Sequence, residues 1–280
     1  MISSICICGA GTMGSGIAQV AAQSGLTTLL FDLNETVLQH AELSIAKNLQ
    51  SQVDKQRMKE ADKETILSNI RYTTNLHDCI GDMIIEAIVE KTAPKIALFN
   101  QLAEINHSET IFATNTSSLS VATIANGVMQ PSRVIGMHFF NPAPLMKLVE
   151  VVKTENTSDA VVETVMELAA TMKKTAVLCE DAPGFIVNRV ARHYYLEALR
   201  LAEEQGVDFS TIDDIMESVG FKMGPFRLMD LIGNDINLAV TESIYEAMHQ
   251  APRLAPSALQ KEKVKAGELG RKTKKGYYSY

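Results

Sequence analysis

The first 180 residues alternate short apolar runs with longer stretches whose apolar positions recur every three or four residues. Runs at 5–8 and 28–31 are typical of buried strands, and the stretches 14–25 and 34–53 have helical spacing. This alternation predicts an α/β protein with a Rossmann-type, doubly wound, mostly parallel sheet. Further strands are predicted over 83–89, 110–114, 133–138, 148–152 and 176–178.

The pattern changes at the segment Asp181-Ala182-Pro183-Gly184, where strand signals end and helical ones dominate. Helices are predicted over 185–205, 210–219 and 225–248. A length of 280 residues also favours two domains. We therefore interpret residues 1–180 as a dinucleotide-binding domain and 184–280 as an all-helical domain. The helices carry more apolar residues than a domain this small can bury, which predicts a homodimer.

Composition and charge exclude several classes of protein. Lys and Arg total 26 against 33 for Asp and Glu, a net charge of −7 that argues against a nucleic-acid partner. No apolar run approaches the about 20 residues that span a bilayer, and the N-terminus lacks the cationic region of a signal peptide. We expect no membrane partner and a cytoplasmic location, or the mature form of a matrix protein.

Four cysteines, Cys6, Cys8, Cys79 and Cys179, fit neither a zinc spacing nor a disulfide framework. We interpret them as reduced, buried, structural thiols and predict no metal site.

A glycine-rich loop, Gly9-Ala10-Gly11-Thr12-Met13-Gly14, follows the first predicted strand and precedes a helix. Gly9 permits a tight turn, Gly11 lets backbone amides approach a pyrophosphate, and Gly14 allows close helix packing. In this context the motif predicts dinucleotide binding.

An acidic residue, Asp32, closes the second strand 18 residues after Gly14. A carboxylate there can accept hydrogen bonds from the ribose hydroxyls and repels a 2′-phosphate, which favours NAD over NADP. Asp32 could also cap the helix that begins near Asn34, and the two roles are compatible.

A histidine and a glutamate provide candidate acid–base chemistry. His138 ends an apolar strand just before a loop with two prolines, and Glu150 lies among valines on the next predicted strand. A dehydrogenase that uses no metal needs a base that titrates near neutrality. A buried carboxylate needs a partner, and an imidazole N–H would supply it. From spacing alone, a catalytic pair and a structural core histidine fit about equally well.

With these motifs, the chain resembles the short-chain L-3-hydroxyacyl-CoA dehydrogenase family, and in particular its bacterial 3-hydroxybutyryl-CoA dehydrogenases. The resemblance extends over essentially the whole chain. It is carried by the glycine loop, 86–90 with Lys95, 115–119, the His138 loop, 146–151, Pro183-Gly184-Phe185-Ile186-Val187-Asn188-Arg189 and Met223-Gly224-Pro225-Phe226.

The resemblance implies a role for each matching residue. It implies that His138 is the catalytic base and Glu150 its orienting carboxylate, while Ser117 and Asn188 position the substrate. Asn141 would lie near the active centre, and Lys47 and Lys55 near the CoA nucleotide. The implied cofactor site comprises Gly9, Gly11, Thr12, Met13, Gly14, Asp32, Glu90, Lys95, Asn115, Ser117, His138 and Asn141. Alternatively, Ser117 and Asn188 cap helices, and Glu90 and Lys95 form a surface ion pair. Lys47 and Lys55 could likewise be merely solvated.

The implied activity is NAD-dependent interconversion of an L-3-hydroxyacyl-CoA, such as 3-hydroxybutyryl-CoA, and a 3-oxoacyl-CoA, as in the β-oxidation of fatty acids. The resemblance also implies an acyl-CoA substrate and a homodimer formed through residues 184–280. Two rivals remain open: a dehydrogenase of the same fold that oxidises a hydroxy acid without CoA, and a catalytically silent NAD-binding structural protein.

Two segments depart from the family pattern. Lys274 stands where the family commonly has a glycine, which we expect to alter a terminal turn without affecting chemistry. Gly220-Phe221-Lys222 also replaces a more usual segment, so acyl-chain preference or the dimer contact could differ.

Overall fold

The computed structural model of the protein describes residues 2–280. These residues divide into two compact units, a first unit that ends at Asp181 and a second unit, Ala182–Tyr280. The described residues of the first unit form eight strands, six α-helices and two short 3₁₀ helices. The strands are β1 (Ser4–Cys8), β2 (Thr27–Phe31), β3 (Ile70–Thr73), β4 (Met83–Glu86), β5 (Ile111–Thr114), β6 (Val134–Phe139), β7 (Leu148–Lys153) and β8 (Thr175–Glu180). The helices are α1 (Thr12–Gln23), α2 (Glu35–Asp54), α3 (Glu60–Ser68), α4 (Thr92–Ile105), α5 (Val121–Asn126) and α6 (Asp159–Thr171).

All eight strands form one sheet in the order β3-β2-β1-β4-β5-β6-β7-β8. Neighbouring strands are parallel except β6 and β7, which pair antiparallel. The predicted doubly wound, mostly parallel fold is therefore confirmed. The strand order reverses between β1 and β4, and in open sheets of this kind ligands bind beyond the carboxyl ends of the strands at such a reversal.

The two faces of the sheet bury different side chains. Ile5 and Ile7 of β1 join the core cluster that includes apolar residues of α1 and α2. On the opposite face, Phe99 of α4 packs on Phe112 of β5, with ring centroids 5.4 Å apart. Both faces of the central strands are therefore covered, as their uninterrupted apolar sequences require.

Several predicted boundaries were wrong. β4 ends at Glu86 rather than continuing to residue 89, and β3, a short edge strand with two polar residues, was missed. The predicted helix 225–248 is two helices, because Gly233 has a φ of +105° and interrupts it. The predicted helix 185–205 begins at Val187, since Phe185 has a φ of +48°.

The second unit is helical, with α7 (Val187–Gln205), α8 (Phe209–Ser218), α9 (Pro225–Ile232), α10 (Asn234–Ala247) and α11 (Ala258–Lys265). Its core is formed by residues such as Leu196, Leu199, Phe226 and Ile244. Across residues 2–280, no helix is both long enough and apolar enough to cross a bilayer.

The C-terminal tail is fastened to α9 by the buried carboxylate of Asp230. That carboxylate accepts hydrogen bonds from the backbone N–H groups of Tyr277 and Tyr278, each at 3.0 Å. A Cβ atom at Gly276 would lie 2.0 Å from Asp230 Oδ1, so the tail passes too close for a side chain there. The tail is therefore an integral part of the helical unit.

Lys274 lies in the turn that leads into this docked segment. Its backbone has a φ of +60° and a ψ of 9°, the left-handed conformation that glycine adopts without strain. A lysine, at a position where the resemblance implies a glycine, thus adopts a conformation that disfavours side chains. The left-handed conformation of Lys274 gives a physical reason to expect strain in the terminal turn.

We expect Lys274→Gly to raise the thermal midpoint by about 2 °C. Relief of the left-handed strain, roughly 1–2 kcal/mol, exceeds the added flexibility of the unfolded chain, roughly 0.5–1 kcal/mol. Differential scanning calorimetry measures the change. Lys274→Ala is the control, because it shortens the side chain but keeps the strain. Equal stabilisation by both substitutions would contradict this explanation.

Candidate active site

The glycine loop has a distinct geometry at each of its three glycines. Gly9 has a φ of +102°, and a Cβ there would lie 2.6 Å from the carbonyl oxygen of Ala87. A Cβ at Gly14 would lie 1.7 Å from the carbonyl oxygen of Gly9, whereas one at Gly11 would meet nothing within 4 Å. Two glycines thus permit close packing and the third faces open space, as a loop that admits a pyrophosphate requires.

The loop leads directly into α1, whose first turn can receive an anion. Gly11 is the N-cap residue, and within the described chain no side chain caps this turn. Thr12 is exposed at the helix start, and Met13 packs partly against the core. Backbone N–H groups at a helix N-terminus, together with the helix dipole, favour a phosphate group. The residues present therefore fit the pyrophosphate of a dinucleotide.

Asp32 connects the glycine loop to the end of β2. Its Oδ2 accepts a hydrogen bond from Ala10 N–H at 2.8 Å, and its Oδ1 accepts one from Asn34 N–H at 2.9 Å. Asn34, rather than Asp32, caps α2, with its side chain accepting from Thr36 and Val37. The capping alternative for Asp32 is therefore wrong in detail, although the carboxylate does shape the helix entry.

His138 and Glu150 lie opposite each other on the antiparallel strands β6 and β7. The distance between His138 Nδ1 and Glu150 Oε2 is 2.8 Å, and both side chains are buried. The ring of Phe140 lies beside the imidazole, with centroids 4.4 Å apart. Register in the sheet, and not a flexible loop, thus holds the imidazole against the carboxylate.

A second buried carboxylate, Glu86, lies at the end of β4 and was not predicted as a site residue. Its Oε1 accepts from Lys95 Nζ at 2.6 Å and from Ile88 N–H at 2.7 Å, and its Oε2 accepts from the Thr114 hydroxyl at 2.7 Å. Burial raises the pKa of Glu86, although Lys95 opposes this effect. An acidic residue closing an otherwise apolar strand was the sequence signal that could have revealed it.

Lys95 joins Glu86 to Glu90. Its Nζ also lies 3.2 Å from Glu90 Oε2, and its side chain is only 1% exposed. The alternative that Glu90 and Lys95 form a surface ion pair is therefore wrong. Although burial opposes it, Lys95 lowers the pKa of Glu90, aided by the Thr116 hydroxyl and the Ser117 N–H that donate to it.

The remaining predicted residues occupy different elements. Asn115 follows β5, and its Oδ1 accepts from Phe139 N–H at 2.8 Å, which ties it to the strand of His138. Ser117 lies three residues before Ser120, which caps α5. Asn188 lies inside α7, in the second unit. The alternative that Ser117 and Asn188 cap helices is therefore wrong, while their catalytic roles stay predictions.

Two open cavities flank Pro144 in the first unit. The loop cavity, about 330 Å³, is lined by the glycine loop and by parts of α1, α2 and the 141–144 segment, and it brings Gly11, Thr12 and Asn141 together. The cationic cavity, about 620 Å³, adjoins the other end of α1. Its charged wall residues are Arg57, Lys147, Lys173, Lys174 and Asp62. Lys47 and Lys55 are exposed and line neither cavity.

The buried ion pair predicts a pH-dependent loss of stability in Lys95→Met. Without the ammonium, the pKa of the buried Glu86 rises further above that of the unfolded chain. The Lys95→Met variant therefore keeps its stability at low pH, where Glu86 is protonated. It loses stability as the pH rises through the pKa of Glu86 in the folded state. We expect the loss relative to the parent to grow as the pH rises above the pKa of an unfolded glutamate, about 4.3, and to reach about 3–5 kcal/mol. Thermal melts at a series of pH values from acidic to neutral measure it.

The control is the double variant Glu86→Gln/Lys95→Met, which has no buried carboxylate at this position. Its stability relative to the parent should not vary with pH in this way. A pH-independent loss in Lys95→Met would show that the lysine contributes packing and not charge neutralisation.

Comparison with known proteins assigns the chain to one family. The model for the NAD binding domain of 3-hydroxyacyl-CoA dehydrogenase matches residues 4–182. The model for the C-terminal domain of 3-hydroxyacyl-CoA dehydrogenase matches residues 184–280.

Individual relatives of the chain carry names that agree with this family assignment. The chain is 44% identical over 281 residues to the 3-hydroxyadipyl-CoA dehydrogenase of Escherichia coli, covering 100% of this chain but only 59% of that protein. It is 39% identical to the mitochondrial hydroxyacyl-coenzyme A dehydrogenase of Sus scrofa, covering 100% of this chain and 92% of that protein.

Among solved structures, the (S)-3-hydroxybutyryl-CoA dehydrogenase of Ralstonia eutropha matches with a TM-score of 0.95 at 36% identity, covering 100% of this chain and 99% of that one. The predicted family and the predicted cofactor NAD are confirmed. The chain belongs to the 3-hydroxyacyl-CoA dehydrogenase family, with an NAD-binding first domain and the family's C-terminal domain.

Proposed function

We propose that this chain catalyses the NAD-dependent interconversion of an L-3-hydroxyacyl-CoA and a 3-oxoacyl-CoA, with 3-hydroxybutyryl-CoA as the favoured substrate. The observation that carries the proposal is the buried His138–Glu150 pair at the carboxyl end of β6. Ligands bind at this edge of doubly wound sheets, and the glycine loop lies at the same edge. The name of the Ralstonia eutropha relative, (S)-3-hydroxybutyryl-CoA dehydrogenase, supports the choice of substrate.

In the proposed mechanism, His138 moves the proton. Glu150 holds Nδ1, so Nε2 is the nitrogen that takes the proton from the substrate hydroxyl. NAD⁺ held at the glycine loop would supply the acceptor for the hydride that leaves C3. Glu150 stays ionised throughout, because only a carboxylate stabilises the imidazolium that forms. In reduction, the imidazolium returns the proton to the oxygen, and Ser117 and Asn188 position the substrate.

We infer that Asp32 selects NAD over NADP. Its two oxygens already accept from Ala10 and Asn34 N–H groups, which fix the carboxylate at the end of β2. A fixed negative charge there accepts from ribose hydroxyls and repels a 2′-phosphate. Comparison of kcat/KM for NADH and NADPH measures this preference.

The cationic cavity is our candidate for the nucleotide end of CoA. Arg57, Lys147 and Lys173 are exposed at its walls, on a chain whose net charge is −7. Lys174 has a different task, since its Nζ donates to the carbonyl oxygens of Ala143 at 2.6 Å and Met146 at 2.8 Å. It thereby fixes the loop between the two cavities. Clustered cations attract an anionic substrate and can pair with its phosphates.

The second unit supports a homodimer. The sequence predicts that this unit carries more apolar residues than it can bury. Leu196 and Leu199 are buried, whereas Leu231 and Ile236 are about half exposed. Val190 of α7 and Val219, the residue that follows α8, are each 67% exposed, so these two segments also present apolar surface. An apolar surface distributed over several helices favours burial against a second copy. Sedimentation velocity at micromolar concentration tests for this homodimer. As a separate proposal, we place the protein in the cytoplasm.

The central prediction concerns the catalytic pair. We expect the parent to oxidise NADH in the presence of acetoacetyl-CoA, and His138→Gln to lower kcat by about 10²–10⁴-fold, the usual contribution of a general base. Glu150→Gln should also lower kcat, because an amide hydrogen-bonds but cannot neutralise an imidazolium. The losses should not add in the double variant, since the residues act as a unit.

Cofactor affinity and the thermal midpoint of each variant serve as controls, and both should remain close to the parent values. A folded His138→Gln protein with near-normal kcat would end the proposed mechanism. A parent that is inactive with acyl-CoA substrates but active with free hydroxy acids would support the rival dehydrogenase. A parent that binds NADH but turns over neither class would support the silent structural protein.

A separate prediction concerns the CoA nucleotide. We expect the double variant Arg57→Ala/Lys147→Ala to raise KM for acetoacetyl-CoA about tenfold or more, because it removes two charged partners of the phosphates. KM for acetoacetyl-pantetheine, which lacks the nucleotide, should not change. Lys47→Ala/Lys55→Ala is the matched control with the same loss of charge. If the control raises KM and the cavity variant does not, the nucleotide lies along α2 instead.

A further inference from the structure

Three of the four cysteines meet on one face of β1. Cys6 and Cys8 are two residues apart on the strand and therefore point to the same face. Their Sγ atoms are 3.9 Å apart. Cys79, more than 70 residues later in the chain, brings its Sγ to the same place, and all three sulfurs lie within 4.8 Å of one another. We call these three residues the thiol cluster.

The chain path explains why Cys79 reaches this point. The connection from β3 to β4 must pass β2 and β1, because those strands lie between them in the sheet. It does so through the short 3₁₀ helix Leu76–Asp78, and Cys79 follows directly. Asn106 fixes the connection, donating from Nδ2 to the Cys79 carbonyl at 2.8 Å and accepting from Gly81 N–H at 3.0 Å.

The cluster is pre-formed and secluded. Each of its three side chains has a relative exposure of 0%, and all three are free thiols. Cys6 and Cys8 lie on a central strand with hydrogen-bonded neighbours on both sides. The backbone thus holds sulfurs from two distant chain segments, β1 and the connection from β3 to β4, next to one another. Three thiols from two separate elements therefore lie within reach of one another, which meets the requirements of ligand type and proximity for a metal site.

The spacing of the sulfurs favours a particular class of ion. With metal–sulfur bonds of about 2.3 Å, three sulfurs arranged trigonally around one ion lie about 4 Å apart. Structural zinc requires a fourth ligand, and in residues 2–280 this group of candidate ligands contains the three cysteines alone. Thiolates select soft ions, and Cu(I) accepts three sulfurs without a fourth ligand.

We propose that Cys6, Cys8 and Cys79 form a three-sulfur binding site for a soft monovalent ion, Cu(I). Binding releases protons from the thiols and involves no change of oxidation state. If two thiols ionise and the third remains protonated, the bound site carries one negative charge. Entry of the ion requires the connection around Cys79 to open locally, since the closed cluster is shielded from solvent.

The experiment uses the full chain, reduced and free of metal. Cu(I) is added under anaerobic conditions in competition with a chromophoric Cu(I) chelator, and X-ray absorption reports the ligands. We expect one tightly bound equivalent with three sulfurs at about 2.3 Å. Loss of an outer partner already weakens metal sites about 10–100-fold, so Cys79→Ala should weaken binding at least about a hundredfold. Cys6→Ala and Cys8→Ala should do the same.

The matched control is Cys179→Ala, because Cys179 is also buried and free but lies on β8, at the far end of the sheet. It should bind Cu(I) like the parent, and Cu(I) should raise the thermal midpoint of both. Circular dichroism without metal identifies any variant that fails to fold. If one cluster variant does not fold, the Cu(I) affinities of the other two test the proposal. Parent binding no tighter than that of folded cluster variants, or binding lost in Cys179→Ala, overturns the proposal. Dehydrogenase activity plays no part in this readout.

Discussion

The buried Glu86 carboxylate holds together the edge of the sheet on which the candidate site is built. A fully desolvated carboxylate is stable only when charged or polar donors satisfy it. Its donors come from α4, from β5 and from the backbone after β4. These bonds fix the end of β4 at the point where Ala87 approaches Gly9 so closely that only glycine fits. The shape of the nucleotide loop therefore depends on an ion pair outside the loop.

The reversal of strand direction between β6 and β7 imposes a second constraint. Antiparallel pairing aligns His138 directly with Glu150, at a distance that permits a hydrogen bond. Lys174 holds the intervening loop through two carbonyl oxygens, and Asn115 ties β6 to the end of β5. Acid–base groups mounted on paired strands keep their geometry better than groups on loops. The loop between these strands is left to line the two cavities.

Local sequence patterns predicted the features that depend on local physics. The strand–loop–helix order around the three glycines, the alternation that gives a doubly wound sheet, and the boundary near Pro183 are all encoded within short segments. Long-range contacts left no such signal. Lys95 reads as an ordinary helical lysine until α4 packs on the sheet and buries it, and nothing in the sequence connects Cys79 with Cys8. The cationic cavity likewise combines Arg57 with Lys147, which lie 90 positions apart in the chain.

The two buried carboxylates differ in the chemistry of their partners. The Lys95 ammonium lies 2.6 Å from Glu86 and neutralises this buried carboxylate as a fixed part of the structure. In the proposed cycle His138 gains and loses a proton, so its contact with Glu150 strengthens when the proton arrives and weakens when it leaves. A fixed cation suits a structural junction, whereas a partner whose charge follows a proton suits a reaction that moves one. Similar burial therefore supports different roles: Glu86 maintains the framework, and Glu150 stabilises a charge that exists only during part of the proposed cycle.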